Sequence, residues 1–207
     1  MASSEKNLWE KSATEVVSLL RSKEISPDEA LDENLKRIKE THSTINAVVT
    51  ICEERARHQI KNLDTERKDQ PGYLYGLPIV IKDLTDVKGV KTTYGSQIYK
   101  DHIPKSSDFL VERIEKMGGV IIGKTNTPEF GAGSQTFNEV FGYTPNPWNS
   151  QYTSGGSSGG TASALAAGAA WLQSAEAKPA RQGVCPTRIH ASRSQAHADH
   201  REAHRHD

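Results

Sequence analysis

The sequence predicts an α/β fold in which helices flank a mixed sheet. Two apolar segments rich in β-branched residues, Leu77–Ile81 and Val120–Ile122, are typical of buried strands. The segment between them begins with Ser107 and Asp108 and predicts a helix that ends at two glycines. The order strand, helix, strand indicates a partly parallel sheet covered on both faces. The helix residues expected to share one apolar face are Phe109, Leu110, Ile114 and Met117.

Helix-start signals precede the first buried strand. Ser12 and Glu15 have the spacing of a capping box, in which each side chain bonds to a backbone N–H of the other residue. Ser26 followed by Pro27 is a stronger signal, because serine caps a helix and proline suits its first turn. The predicted elements are a helix over 12–22, a helix over 27–41, a short strand over 47–51 and a charged, helix-prone segment over 52–68.

The stretch Thr153–Ser163 contains four glycines and four serines directly before a run of small residues. Glycine allows close backbone approach, and serine supplies hydroxyls for capping or proton transfer. The stretch therefore predicts a tight turn that brings hydroxyls to the start of a buried small-residue helix within 162–172. A flexible Gly/Ser linker is the alternative, but it fits less well because 162–172 carries no charge.

A lysine follows the first apolar strand. The ordinary interpretation of Lys82 is a solvated residue, or one that forms an ion pair with Asp83 or Asp86. Burial, however, lowers the pKa of a lysine and can make its amine a base. Together with the serines of the glycine-rich turn, Lys82 predicts Ser/Lys hydrolytic chemistry, in which the amine takes a proton from a hydroxyl.

Two other patterns are interpreted as accidental. Gly118–Thr125 matches the phosphate-loop pattern, but β-branched strand residues lie where that loop should be, and the chain is expected to turn away over 123–128. His197, His200 and His204 have helical spacing for a metal site, but they lie in a histidine-rich tail. Neither pattern predicts a nucleotide or a metal as ligand.

Composition indicates a soluble, cytoplasmic protein. Lys and Arg together number 26, as do Asp and Glu, so no charge excess predicts binding to nucleic acid or to a membrane surface. The two cysteines, Cys52 and Cys185, lack metal-type spacing and suit a reducing compartment. The polar start of the chain shows no secretory signal, and no apolar run reaches membrane-spanning length.

The residues considered so far resemble a known family. From about residue 8 to Leu172 the sequence is similar to the amidase signature family. That resemblance implies hydrolysis of amide carbon–nitrogen bonds in small molecules by a Ser–Ser–Lys triad, with no cofactor and no metal. An amidotransferase A-type subunit, which releases ammonia from glutamine, is the alternative within the family. The motifs that carry the resemblance are Leu77–Asp83, Gly123–Phe130, Asn146–Trp148 and Gly155–Gly160.

The resemblance assigns roles to individual residues. Lys82 corresponds to the family's base, and Ser157 corresponds to the bridging serine that passes a proton between base and nucleophile. In the family this serine follows a cis peptide bond, which would be Gly156–Ser157 here. The surrounding turn, which would support the site, consists of Gly155, Gly156, Ser158 and Gly159.

This sequence lacks the third member of the triad that the family pattern contains. The nucleophilic serine should fall near position 181 in a Gly-Gly-Ser turn whose amides also stabilise the oxyanion. The sequence has Arg181 there, without the glycines or the serine. Ser174, Ser192 and Ser194 lie outside any such turn. The chain as written is therefore expected to have little or no amidase activity.

The last segment differs in composition from the rest. Residues 173–207 contain no leucine and no aromatic residue, but five of the eight histidines. This predicts an amidase-like portion over 1–172 and an unrelated, disordered tail over 173–207. A break in the reading frame after codon 172 would explain the change. Another hypothesis is a truncated, non-catalytic fragment that acts by binding, for example to an intact homologue.

Overall fold

The computed structural model describes residues 7–174, which form five α-helices and eight β-strands. The helices are α1 (Ala13–Ser22), α2 (Pro27–Ile45), α3 (Glu53–Lys61), α4 (Phe109–Lys116) and α5 (Gly159–Ala166). The strands are β1 (Val48–Ile51), β2 (Pro78–Lys82), β3 (Val120–Thr125), β4 (Phe137–Asn138), β5 (Gly142–Tyr143), β6 (Pro145–Asn146), β7 (Asn149–Thr153) and β8 (Leu172–Ser174). The predicted disorder of the tail and its histidine pattern lie outside the described residues.

Four strands form the main sheet in the order β1-β3-β2-β8. Strand β2 pairs in parallel with both β3 and β8, whereas β1 is antiparallel to β3. In this register Lys82 is opposite Thr125, and Ile79 lies between Ile121 and Leu172. The mixed sheet confirms the predicted α/β fold. Two further pairs, β4-β5 and β6-β7, are short antiparallel ribbons.

Helices and loops cover both faces of the sheet, because side chains of a strand alternate between faces. Val80 and Ile122 face a core cluster that contains residues of α2 and α5, such as Leu31 and Ala164. Ile79, Ile81 and Ile121 face the opposite cluster, which contains Val87, Val90 and Val111. All five residues of β2 are buried, as expected for a central parallel strand.

The predicted capping box at Ser12 is present, and the predicted serine cap at Ser26 is also part of a capping box. The hydroxyl of Ser12 accepts from the backbone N–H of Glu15 at 3.3 Å, and that of Ser26 accepts from Glu29 at 3.2 Å. Helix α2 continues beyond its predicted end to Ile45 and stops where Asn46 adopts a left-handed conformation with φ of 46°.

Strand β3 and helix α5 differ from the sequence-based expectation. Strand β3 does not turn away at Gly123 but continues to Thr125, because Gly123 admits the carbonyl oxygen of Thr50 where a Cβ would overlap it. Helix α5 ends at Ala166, and Leu172 belongs to β8 rather than to a helix.

The predicted apolar face of α4 is correct for Ile114 but wrong for Phe109 and Leu110. Phe109 and Leu110 are exposed, whereas the buried residue of this helix is Val111. Ile114, one turn further on, packs partly buried against the same cluster as Val111. The i, i+3 pair therefore faces the sheet, and the aromatic ring at the helix start points outward.

None of the helices within residues 7–174 combines the length and apolar character that a membrane span requires.

Candidate functional site

The candidate site lies at the carboxyl end of β2. Lys82 is the last residue of this strand and is 8% exposed. Its Nζ lies 2.8 Å from Oγ of Ser157 and 2.9 Å from Oγ of Ser158. The structure thus brings together Lys82 and Ser157, the two residues that the sequence singled out, across 75 positions of the chain.

The glycine-rich turn presents these serines. The Gly156–Ser157 peptide bond is cis, Gly155 has φ of 78°, and α5 begins at Gly159. A Cβ on Gly156 would lie 2.8 Å from the backbone nitrogen of Gln135, so only glycine fits there without a shift. The segment is therefore a structured turn packed on its neighbours and not a linker.

Two threonines that sequence reasoning did not single out hold the turn. Oγ1 of Thr136 donates to the carbonyl of Gly155 at 2.8 Å and accepts from the N–H of Gly159 at 3.0 Å. Oγ1 of Thr127 donates to the carbonyl of Ser157 at 3.2 Å. Thr127 lies within the quoted motif Gly123–Phe130, but no sequence signal pointed to Thr136.

Two buried asparagines connect the turn's support to the loop that follows β3. Nδ2 of Asn138 donates to Oδ1 of Asn126 at 2.7 Å and to the carbonyl of Thr127 at 2.8 Å. Nδ2 of Asn126 in turn donates to Oγ1 of Thr144 at 3.0 Å. With their amide groups paired, these side chains fix the loop that carries Thr127 and Thr136.

Asp83, one of the two acids considered as a partner of Lys82, forms an ion pair with Lys124. Oδ1 of Asp83 lies 3.2 Å from Nζ of Lys124, and both side chains have no exposed area. Burial lowers the pKa of Lys124, and the neighbouring Asp83 carboxylate opposes that shift. Because Lys124 lies inside β3 and is occupied in this way, the phosphate-loop match at Gly118–Thr125 is accidental.

Among residues 7–174, no group of three or more histidine, cysteine, aspartate or glutamate side chains could hold a metal ion. The chemistry that the site offers is a buried amine in contact with two hydroxyls. Such an arrangement can pass protons between nitrogen and oxygen.

Comparison with known proteins identifies the family. The amidase family model matches residues 29–175, and the chain therefore belongs to the amidase signature family. This confirms the resemblance found in the sequence. The matched region includes β8 and thus extends slightly past the predicted boundary at Leu172.

The curated relatives include the A-type subunit of glutamyl-tRNA(Gln) amidotransferase from Halothermothrix orenii. The two sequences are 42% identical over 163 residues, which is 79% of this chain and 33% of that protein. The same-named protein of Lawsonia intracellularis is also 42% identical, over 156 residues, 75% of this chain and 32% of its own length. The chain spans about a third of the length of these relatives.

Solved structures of hydrolases share the fold. 6-Aminohexanoate cyclic dimer hydrolase complexed with substrate has a TM-score of 0.73 and 33% identity over 80% of this chain and 33% of that one. A bacterial aryl acylamidase of the amidase signature family has a TM-score of 0.70 and 34% identity over 77% of this chain and 34% of its own.

Proposed function

We propose that this chain supplies the base and the bridging serine of an amide hydrolase. The observation that carries the proposal is the 2.8 Å contact between the buried Lys82 amine and the Ser157 hydroxyl. Membership of the amidase family and the fit to amide-hydrolase structures support it. The substrate class is a small molecule with an amide bond, and the cytoplasmic location expected from the sequence remains a prediction.

In the proposed mechanism, the neutral amine of Lys82 takes a proton from Ser157, and Ser157 takes one from the nucleophile. The nucleophile attacks the amide carbonyl, and the carbon–nitrogen bond breaks as the same relay returns a proton to the leaving amine. The acyl group stays on the nucleophile until water removes it.

We further propose that the 207-residue chain has little or no amidase activity. Near position 181, where the family pattern has a nucleophilic serine in a glycine turn, the sequence has Arg181. Loss of that turn removes the oxyanion donors as well as the nucleophile. The proposed break in the reading frame is tested by translating the other two frames of the coding DNA after codon 172. The absence of a Gly-Gly-Ser turn from both would refute it.

A chimera tests the proton relay directly. Residues 1–174 are joined to the carboxyl-terminal portion of an amidase relative that carries the nucleophilic serine. The chimera is expected to release ammonia from simple amides, and Lys82→Met or Ser157→Ala is expected to lower kcat by about 10³-fold or more. The unmodified 207-residue chain should match the Lys82→Met background. A Lys82→Met chimera with full activity would refute the proposed role of the amine.

An amidotransferase A-type function is the second candidate, because the curated relatives at 40–42% identity carry that name. The test supplies the chimera with glutamine or with a simple amide, in the presence and absence of the other subunits of a relative's complex. Ammonia release from glutamine but not from the simple amide, and only when those subunits are present, favours the amidotransferase. Equal release from simple amides without them favours a free-standing amidase.

A further inference from the structure

A buried ion pair lies directly beside the candidate site and has no part in the proposed proton transfer. Nζ of Lys124 bonds to Oδ1 of Asp83 at 3.2 Å, to the carbonyl of Thr85 at 2.9 Å and to Oγ1 of Thr92 at 2.8 Å. The other carboxylate oxygen of Asp83 accepts from the backbone N–H of Thr93 at 3.1 Å and from its hydroxyl. The pair is therefore fully hydrogen-bonded without water.

Such a pair is an inefficient way to stabilise a core. Removing two charges from water costs free energy that their attraction only partly returns, and an apolar pair of similar volume is often as stable. The position of the pair suggests another role. Asp83 directly follows Lys82, and Lys124 directly precedes Thr125, which contacts the helix that begins after Ser158.

One side of the pair fixes the lysine of the site. The backbone N–H of Asp83 bonds to the carbonyl of Thr125 at 3.0 Å, which extends the β2-β3 ladder beyond Lys82. Successive side chains of an extended segment point to opposite faces. By holding Asp83 on one face, Lys124 directs the side chain of Lys82 to the other face, where the serines lie.

The other side of the pair connects to the turn. Lys124 is followed by Thr125, whose Oγ1 lies 2.6 Å from Oγ1 of Thr161 in the first turn of α5. Helix α5 begins immediately after Ser157 and Ser158. The two strand ends and the start of α5 are thus joined by one continuous set of buried hydrogen bonds.

We propose that Asp83 and Lys124 form a positioning pair that keeps the Lys82 amine and the Ser157 hydroxyl within hydrogen-bond distance. Neither residue takes part in the proposed proton transfer, so both act through the position of Lys82 and Ser157. This inference rests on the proton relay proposed above and adds two residues that the relay needs for its geometry.

The test measures how strongly Ser157 and Lys82 are coupled in the full 207-residue chain. The apparent pKa of the Lys82 amine is obtained from the pH dependence of its acetylation, followed by mass spectrometry. The change in that pKa on Ser157→Ala is then compared between the wild-type background and the paired variant Asp83→Asn with Lys124→Met. The paired variant is used because either single change leaves a buried charge without its partner and endangers the fold.

We expect the change in the Lys82 pKa caused by Ser157→Ala to be smaller in the paired variant by about threefold or more. The reason is that the side chains of Lys82 and Ser157 no longer face each other there. The matched control, Arg55→Met with Glu115→Gln, removes the partly exposed ion pair that joins α3 to α4 and should leave the change intact. An equal change in the wild type and the paired variant overturns the positioning role while the relay stands. If the change in the Lys82 pKa is also reduced in the control, the effect is due to general destabilisation, and the positioning role is again overturned.

Two further outcomes are decided in the same experiment. If Ser157→Ala leaves the Lys82 pKa unaltered in the wild type, the relay is absent and the positioning role fails with it. If the paired variant does not fold, as judged by circular dichroism, Thr92→Val replaces it. That variant keeps both charges and removes the hydroxyl that accepts from Nζ of Lys124. A smaller effect of Ser157→Ala on the Lys82 pKa in this background supports the proposal, and an equal effect refutes it.

Discussion

Two hydroxyls, those of Ser157 and Ser158, contact the Lys82 amine in the candidate site. The nearest acid in sequence, Asp83, is engaged by Lys124. A hydroxyl can both donate a hydrogen bond to a nitrogen and accept one from it. The contacts to Ser157 and Ser158 are therefore compatible with the proton transfer proposed for Lys82.

Sequence patterns were sufficient to predict that Lys82 meets Ser157, because both lie in motifs with known partners. They were insufficient for Asp83, which the sequence assigned to Lys82 as a possible partner. The actual partner, Lys124, is separated from it by 41 residues and is selected by strand register. Contacts of this kind depend on tertiary structure and have no local signature.

The thiol of Cys52 is predicted to be unreactive in the folded chain. Burial raises its pKa to about 11, and its Sγ lies 3.4 Å from the carbonyl of Ile121. Since the thiolate is the nucleophile, alkylation by iodoacetamide near neutral pH should be about 100-fold slower than in the urea-unfolded chain. Mass spectrometry of the Cys52 peptide measures both rates. Equal rates would show that the thiol is open to solvent.

Gly160 is predicted to be intolerant of a side chain. A Cβ there would overlap the backbone nitrogen and oxygen of Asn126, which cannot move without disturbing the site. We expect Gly160→Ala to lower the free energy of unfolding by about 3 kcal/mol. Chemical denaturation measures the difference.

The control for this substitution is Gly89→Ala. A Cβ on Gly89 would meet no atom within 4 Å, but the residue has φ of +75°. The alanine is therefore destabilising only through its left-handed conformation, by about 1 kcal/mol. Equal losses in the two variants would contradict the steric explanation for Gly160.

At the scale of single elements, local signals located helix starts well and helix faces poorly. The capping boxes at Ser12 and Ser26 depend on neighbours three residues away, and both formed. The buried face of α4 depends on where the sheet lies, and Val111 rather than Phe109 faces it. Likewise, β3 extends through Lys124 because a distant carboxylate compensates its charge.

The capping box of α2 gives a prediction with a pH dependence. Ser26→Ala should lower the free energy of unfolding by about 1 kcal/mol, because one helix N–H loses its acceptor. Glu29 returns the bond to the backbone N–H of Ser26 at 2.7 Å, and this contact lowers the pKa of its carboxyl below 4.5.

Because folding lowers the pKa of Glu29, its contribution to the free energy of unfolding depends on pH. That contribution is complete above the ordinary pKa of glutamate and is lost as the pH falls through the pKa of the folded state. The stability gap between the wild type and Glu29→Gln should therefore be present near neutral pH and close under acid conditions. Urea denaturation over a pH series measures it, and a gap that widens in acid would contradict the assignment.

At the scale of the whole molecule, the described part of the chain exposes several large apolar side chains. Those more than half accessible are Ile98, Ile103, Phe109, Phe130, Phe137, Tyr143 and Trp148. Exposed apolar side chains that lie together favour association with a partner or a second copy.

We expect the purified chain to bind the dye ANS and to associate in a concentration-dependent way, as measured by sedimentation velocity. Ile98→Ser with Phe109→Ser should reduce both effects without loss of secondary structure, because neither side chain is buried. A chain that stays monomeric over the concentration range and binds no ANS would contradict this expectation. A pull-down with the full-length relative then tests the homologue as partner.

The contact between Lys82 and Ser157 also has a consequence for synthesis of the chain. It closes a loop of 75 residues, and the intervening segment contains β3 and both short ribbons. Contacts of such sequence separation form late, after the local elements. During translation the amine emerges well before its serine, and the two can meet only when the ribosome has released the glycine-rich turn. The site can therefore assemble only after the intervening part of the fold has been synthesised.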